Sequence, residues 1–190
     1  AVLADSPYKT LEDLLTVGKT QPGKLKYGTA GIGTTQHLTT ESLQRDSGAK
    51  FVHIPQNGSA ASMPALLGGH VDFVMETSVW APFLESKQAR LLAVSTPKRA
   101  KAYPDVPALA EKGYKSLRSV QAIIGPAGLP EPIRAKLETA FRASLADKAF
   151  QDTMQRLSME VVDLSGAETK ALVEKEYDLA KQLISEIKTK

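Results

Sequence analysis

Lys26-Tyr27-Gly28-Thr29-Ala30-Gly31-Ile32-Gly33-Thr34-Thr35 reads as a short strand that runs through a glycine turn into a helix reaching about Ser47. Two glycines let a backbone reverse sharply and approach a ligand closely. The helix that follows points its first free N–H groups into the turn, and Thr34 or Thr35 can serve as its N-cap. Those amides, the helix dipole and two hydroxyls together make an anion site suited to a carboxylate. Taken alone, the stretch has an alternative reading as a capped glycine turn that holds nothing.

The same order recurs downstream. Phe51-Val52-His53-Ile54 leads into Pro55-Gln56-Asn57-Gly58 and a helix over Ser59–Leu67. Val71-Asp72-Phe73-Val74-Met75 leads into Glu76-Thr77-Ser78 and a helix to about Lys87, and Arg90-Leu91-Leu92-Ala93-Val94 reads as a fourth strand. Strands alternating with helices predict an α/β fold, a parallel-rich sheet flanked by helices. In such a sheet all three turns lie at the carboxyl ends of their strands, where ligands bind. Asn57, Gly58, Ser59, Thr77 and Ser78 therefore join Gly31, Gly33, Thr34 and Thr35 as candidate contacts, with Glu76 the one acid at the mouth. An ordinary turn is the alternative for Asn57-Gly58-Ser59.

The second half changes character. A strand is expected over 120–124 and a short one over 160–163, among helices at Glu131–Leu145, 147–157 and 166–187. Ile133, Leu137, Ala140, Phe141 and Leu145 recur at helical spacing, giving the first of these helices an apolar stripe.

Composition narrows the function classes. The sequence holds no cysteine, which removes disulfides, thiolate metal sites and cysteine nucleophiles together. Its net charge of +3 is too small to argue for nucleic acid, and the densest basic cluster, Lys98-Arg99 with Lys101, reads as a solvated turn. No apolar run approaches the roughly 20 residues of a membrane span, and a signal peptide, if one is made, is expected to be gone already. Gln36 stands where a dinucleotide fingerprint needs its last glycine, and neither a P-loop nor a nucleophile elbow is present. His37, His53 and His70 are too far apart for a local metal motif, and packing or capping explains them. Trp80 reads as core, with stacking on a ligand as the alternative. No catalytic, metal or cofactor residues are assigned.

The run from Lys26 through Gln36-His37-Leu38 resembles the signature of the solute receptors of tripartite tricarboxylate transporters, the Bug receptors. Further stretches agree in order: His53-Ile54-Pro55 with Asn57-Gly58-Ser59-Ala60, Leu66-Leu67-Gly68-Gly69-His70-Val71-Asp72, Leu91-Leu92-Ala93-Val94-Ser95-Thr96, Pro104-Asp105-Val106-Pro107 and Gly125-Pro126-Ala127-Gly128-Leu129-Pro130. The resemblance implies a two-lobed type II periplasmic binding fold, a small organic acid as ligand, delivery to a membrane permease, a periplasmic location, no enzyme activity and no cofactor. In this family two glycine-rich loops, one per lobe, grip the ligand carboxylate. The second lobe's loop matches residues 29–36, which adds Thr29, Ala30 and Gln36 to the candidates. The first lobe's loop has no match here.

On this pattern residues 1–118 correspond to the second lobe, the ligand-binding α/β lobe. Residues 119–190 correspond to a mainly helical segment of a first lobe whose N-terminal part is missing. Apolar stripes left uncovered on those helices lead us to expect a homodimer, or else repacking onto the chain itself. Gln56 stands where relatives often carry tyrosine, and Glu76 brings a negative charge to the mouth, so the ligand need not be a plain dicarboxylate. The rival readings are a ligand-sensing effector domain of a transcriptional regulator, although no helix-turn-helix is present, and a small α/β enzyme, for which no nucleophile–base pair appears.

Overall fold

Glycine turns and buried apolar runs set up the first part of the chain. The computed structural model describes residues 1–188. Residues 189 and 190 of the expected C-terminal segment lie outside the described residues. The chain divides into two compact units, one of residues 1–119 with 179–190 and one of residues 120–178.

The first unit is α/β. Its elements in chain order are β1 (Val2–Leu3), α1 (Leu11–Thr20), β2 (Lys26–Thr29), α2 (Thr35–Ser47), β3 (Val52–Pro55), α3 (Ser59–Leu67), β4 (Phe73–Val74), α4 (Ala81–Glu85) and β5 (Ala89–Arg90). β3, β2 and β4 form a parallel sheet with β2 in the centre, and β1 pairs antiparallel with β5. Successive strand residues face opposite sides of a sheet, and Phe73 and Val74 divide accordingly. Phe73 joins Val2, Leu14, Leu25, Tyr27 and Leu92 in one apolar cluster. Val74 joins Met63, Leu66, Val71 and Ala89 in another. Gly28, next to Tyr27, has no side chain; a Cβ there would lie 3.2 Å from Val74 Cγ1.

α1 was not expected from the sequence, yet its start is written in Thr10-Leu11-Glu12-Asp13. Thr10 Oγ1 accepts from the Asp13 N–H at 3.1 Å while the Asp13 carboxylate accepts from the Thr10 N–H at 2.9 Å, a reciprocal capping box. Leu11, Leu14 and Leu15 then bury one face of the helix.

The expected fourth strand over 90–94 is shortened to Ala89–Arg90 and runs antiparallel to β1. The Arg90 guanidinium explains that choice: it donates to the carbonyls of Ala4 at 2.8 Å and Tyr8 at 3.0 Å, and to that of Ser6. Further on, Val94 forms a parallel bridge with Ala108. The helix expected after Ser78 begins as a 3₁₀ turn over Ser78–Trp80 before α4.

Residues 179–188 are the end of α7 (Gly166–Lys188). Leu183 is fully buried with Leu38 and Leu117, and Arg45 pairs with Glu186.

The second unit is helical: α5 (Glu131–Leu145), α6 (Lys148–Arg156) and the first part of α7. Arg142 reaches Asp163 at 2.8 Å, and the Gly166 N–H donates to Glu138 Oε1 at 3.2 Å. The strands expected over 120–124 and 160–163 do not form. Among the described residues of this unit there is no strand to pair with, and unpaired strand backbone has no ladder to satisfy it. Ile123 and Ile124 are exposed instead.

Candidate functional site

Register decides where the turns emerge. Tyr27 lies beside both His53 and Phe73, and Thr29 beside Pro55, so β2, β3 and β4 end on the same rim. Their following turns stand side by side with the glycine turn in the middle. The Gln56 N–H donates to the Thr29 carbonyl at 2.9 Å and the Gly58 N–H to the Ala30 carbonyl at 3.1 Å, fastening the second turn to the first. The Met75 N–H donates to the Gly28 carbonyl at 3.0 Å, leading into the third turn.

Gly31 and Gly33 have φ of 141° and 80°, a region that side chains other than glycine's rarely adopt. No heavy atom lies within 4 Å of where a Gly33 Cβ would sit, so that position needs glycine for its backbone and not for space. Thr34 caps α2: its hydroxyl accepts from the His37 N–H at 3.3 Å and donates to the Gly31 carbonyl at 2.8 Å. Thr35 Oγ1 donates to Gln36 Oε1 at 3.1 Å. Thr29 is fully buried and turned inward; its Oγ1 lies 2.8 Å from His53 Nε2 and accepts the Gly31 N–H at 3.2 Å. It supports the turn from below.

The neighbouring turns are less enclosed. Asn57 and Gly58 are exposed, and Ser59 opens α3 half-buried. Gly58 at the cap has no side chain to occupy the first amides of that helix. Thr77 and Ser78 are half-buried. Glu76 is half-buried too: its carboxylate accepts from the Ser62 hydroxyl at 2.6 Å and from the Thr77 N–H at 3.3 Å. Trp80 Nε1 donates to the Glu76 carbonyl at 3.3 Å, and its ring packs edge-on against Tyr103 at 5.4 Å. Trp80 therefore braces the third turn.

The histidines were read as packing or capping residues, and the structure puts two of them directly under the glycine turn. His37 stacks on His53 with centroids 4.3 Å apart, His53 on Tyr27 at 4.7 Å and Tyr27 on Phe73 at 5.5 Å. A column of four rings thus runs from the turn into the core. His37 Nδ1 accepts the Gly33 N–H at 3.2 Å. The signal in the sequence was the four-residue spacing from Gly33 to His37 across a helix start. Among the described residues no His, Asp and Glu cluster is arranged to hold a metal.

Burial, and then the neighbouring His37, push the His53 pKa below its ordinary 6.5, while Glu41 pulls it the other way. The folded chain therefore binds fewer protons than the unfolded one just below that value, and stability must fall as pH drops through it. Acidification from pH 7 to 5 is expected to lower the urea midpoint, and His53→Gln is expected to flatten that dependence. An equally steep pH profile in the variant would assign the effect to other groups.

A family model described as "Tripartite tricarboxylate transporter family receptor" matches residues 1–189. A UPF0065 protein of Cupriavidus necator, from the gbd 5' region, is 40% identical over 160 residues, covering 84% of this chain and 49% of that protein. An R. palustris protein solved with adipate superposes with a TM-score of 0.84 at 26% identity, covering 98% of this chain and 63% of its own. A TctC solute binding protein from Polaromonas, solved with no ligand, gives 0.75 at 27% identity, with 97% and 64% covered. The chain thus spans about half the length of that curated relative and under two thirds of each solved one.

Proposed function

Because this chain belongs to the tripartite tricarboxylate transporter receptor family, we propose that it is the ligand-capturing part of a periplasmic solute-binding protein that holds a small organic acid for a membrane permease. The observation that carries this reading is the rim itself. Three turns meet at the carboxyl ends of parallel strands, bent at Gly31, Gly33 and Gly58 by positive φ, and two of them run into the starts of α2 and α3, whose first amides have no carbonyl partner within their own helix. Amides at such turns and at the helix starts beside them suit a carboxylate. The adipate carried by the R. palustris relative is a ligand of that class. Ligand contact is assigned to Ala30, Gly31, Gly33, Thr34, Thr35, Gln36, Asn57, Gly58, Ser59, Glu76, Thr77 and Ser78; Thr29, expected among them, is buried and supports the turn from below. The chain binds and releases its ligand without changing it chemically. Residues 1–118 serve as the ligand lobe and 119–190 are taken as the segment of the other lobe, although the end of α7 packs within the first unit through Leu183.

Titrating the ¹⁵N-labelled chain with adipate and with a set of mono- and dicarboxylates tests the proposal. The amides of Gly31, Gly33 and Gly58 are expected to shift in a saturable way. Shifts scattered over the surface, or none at millimolar acid, would overturn it.

Glu76 is expected to set the preference among acids, because its carboxylate stands in the third turn as a negative charge. Glu76→Gln is expected to favour dicarboxylates over monocarboxylates by about three- to tenfold at low salt, since it removes a repulsion on the second carboxylate of about 1 kcal/mol for unit charges about 4 Å apart in water. An unchanged ranking would mean that this carboxylate does not face the ligand.

A homodimer through the C-terminal helices belongs to the same proposal. Ile133, Leu137 and Phe141 lie one turn apart along α5 and are all exposed. Light scattering over a concentration series is expected to detect a second copy, and a strict monomer would remove this part of the reading.

A further inference from the structure

We propose that His37 is the proton-linked gate of the glycine turn: a carboxylate that takes the Gly33 amide must first displace the His37 ring, which then picks up a proton and pairs with the bound anion. This rests on the carboxylate-site reading and adds its regulation.

The geometry makes the coupling. The Gly33 N–H is already spent on His37 Nδ1 at 3.2 Å. That nitrogen accepts only while unprotonated. A ligand oxygen at the amide therefore competes with the ring, and the displaced nitrogen becomes free to bind a proton beside a negative charge. An opposite charge within a few ångströms favours the protonated imidazole.

The neighbours restrict the charge to that ring. His53, stacked beneath at 4.3 Å, is disfavoured as a cation by burial and by any charge on His37. Thr29 Oγ1 lies 2.8 Å from His53 Nε2, accepts the Gly31 N–H and donates to the Gly31 carbonyl at 3.2 Å, so the inner ring and this hydroxyl are tied to the turn together. The inner ring thus holds the turn's shape while the outer one responds to the ligand. Glu41 acts on His53 as the opposing charge, and Tyr27, bonded through its hydroxyl to Glu41 at 2.7 Å, closes the stack below.

Binding that takes up a proton strengthens as pH falls. Adipate is expected to bind the chain severalfold more tightly at about pH 6.5 than at about pH 8.5, the linkage of a proton taken up on binding. Adipate keeps both carboxylates ionised over that range. Affinity is read from the amides of Gly31 and Gly33, and proton uptake from calorimetry in two buffers of different ionisation enthalpy. His37→Asn, whose amide oxygen can accept but whose side chain does not titrate, is expected to bind adipate equally at both pH values with no proton uptake. His37→Gln serves as the second variant if the first fails to fold.

Equal affinity at both pH values in the unaltered chain, with the loop amides still responding to adipate, would overturn this proposal and leave the site reading intact. So would a pH dependence that persists in both variants. If the loop amides do not respond at either pH, the site reading falls and takes the gate with it.

Discussion

Replacing Tyr27 with alanine is expected to lower the stability of the α/β unit by about 3–5 kcal/mol, the range for removing a large buried aromatic side chain. Tyr27 is fully buried on the central strand. It stacks between His53 and Phe73 and meets Phe51 edge-on at 6.5 Å. A cavity there would abut both β3 and β4, so the sheet cannot collapse around it from one side. The hydroxyl adds a second contribution. It donates to Glu41 Oε1 at 2.7 Å; that oxygen also accepts from Gln44 Nε2 at 2.6 Å, and Gln44 Oε1 accepts the Phe51 N–H at 2.6 Å. Tyr27→Phe keeps the ring and removes one donor from this chain of bonds, and is expected to cost about 1–2 kcal/mol. Trp80 is the single tryptophan of the sequence and lies in the same unit, so its fluorescence in a urea titration reports this unit. A loss below about 1 kcal/mol for Tyr27→Ala would mean that the ring column is not a principal support of the sheet.

Replacing Gly33 with valine is expected to weaken adipate binding tenfold or more while moving the urea midpoint little. The argument is conformational. Gly33 sits at φ 80° with open space where a Cβ would be. Valine meets no clash there, but a β-branched residue at positive φ carries about 1–3 kcal/mol of strain. The turn is exposed on its outer side, where Ile32 is 77% accessible. The strain is therefore relieved by moving the turn, not by disturbing β2 or α2, which their own hydrogen bonds hold. The moved turn no longer offers its amides in the arrangement set by Thr34 and Thr29. Gly33→Ala, with a smaller penalty, is expected to fall between the two. Unaltered adipate affinity in the valine variant, with the fold intact, would place the anion contact elsewhere on the rim.

Both predictions depend on residues that differ in how far they could be read from the chain alone. The strand, turn and helix around Gly31 and Gly33 were legible, as were a threonine cap at position 34 or 35, which the structure gives to Thr34, and the helix over Glu131–Leu145. Each of these is a local matter: a cap bonds residues three or four apart, and an amphipathic helix repeats within two turns. The ordered motifs likewise pointed to the receptor family, whose family model matches residues 1–189. The helix at Leu11–Thr20 is equally local, but its start uses Asp13 where the familiar capping box has Glu or Gln.

What the tertiary structure decided is everything that depends on a partner far along the chain. Arg90-Leu91-Leu92-Ala93-Val94 and Val120-Gln121-Ala122-Ile123-Ile124 look alike as apolar runs. The first finds Val2 across the sheet through Arg90 alone, the strand ending there. The second forms no strand, with no strand described in its unit to pair with. Thr29 and the two histidines belong to the same class. A threonine at a strand end can face the ligand or the core, and here His53, from the neighbouring strand, draws its hydroxyl inward. His37 could have capped, packed or faced water, but the left-handed bend at Gly33 and the stacked ring of His53 together bring it under the turn. Sequence spacing determines which groups share a helix turn or a strand face. Which of them meet across the fold depends on register and on the rings and carbonyls that other segments bring to the same place.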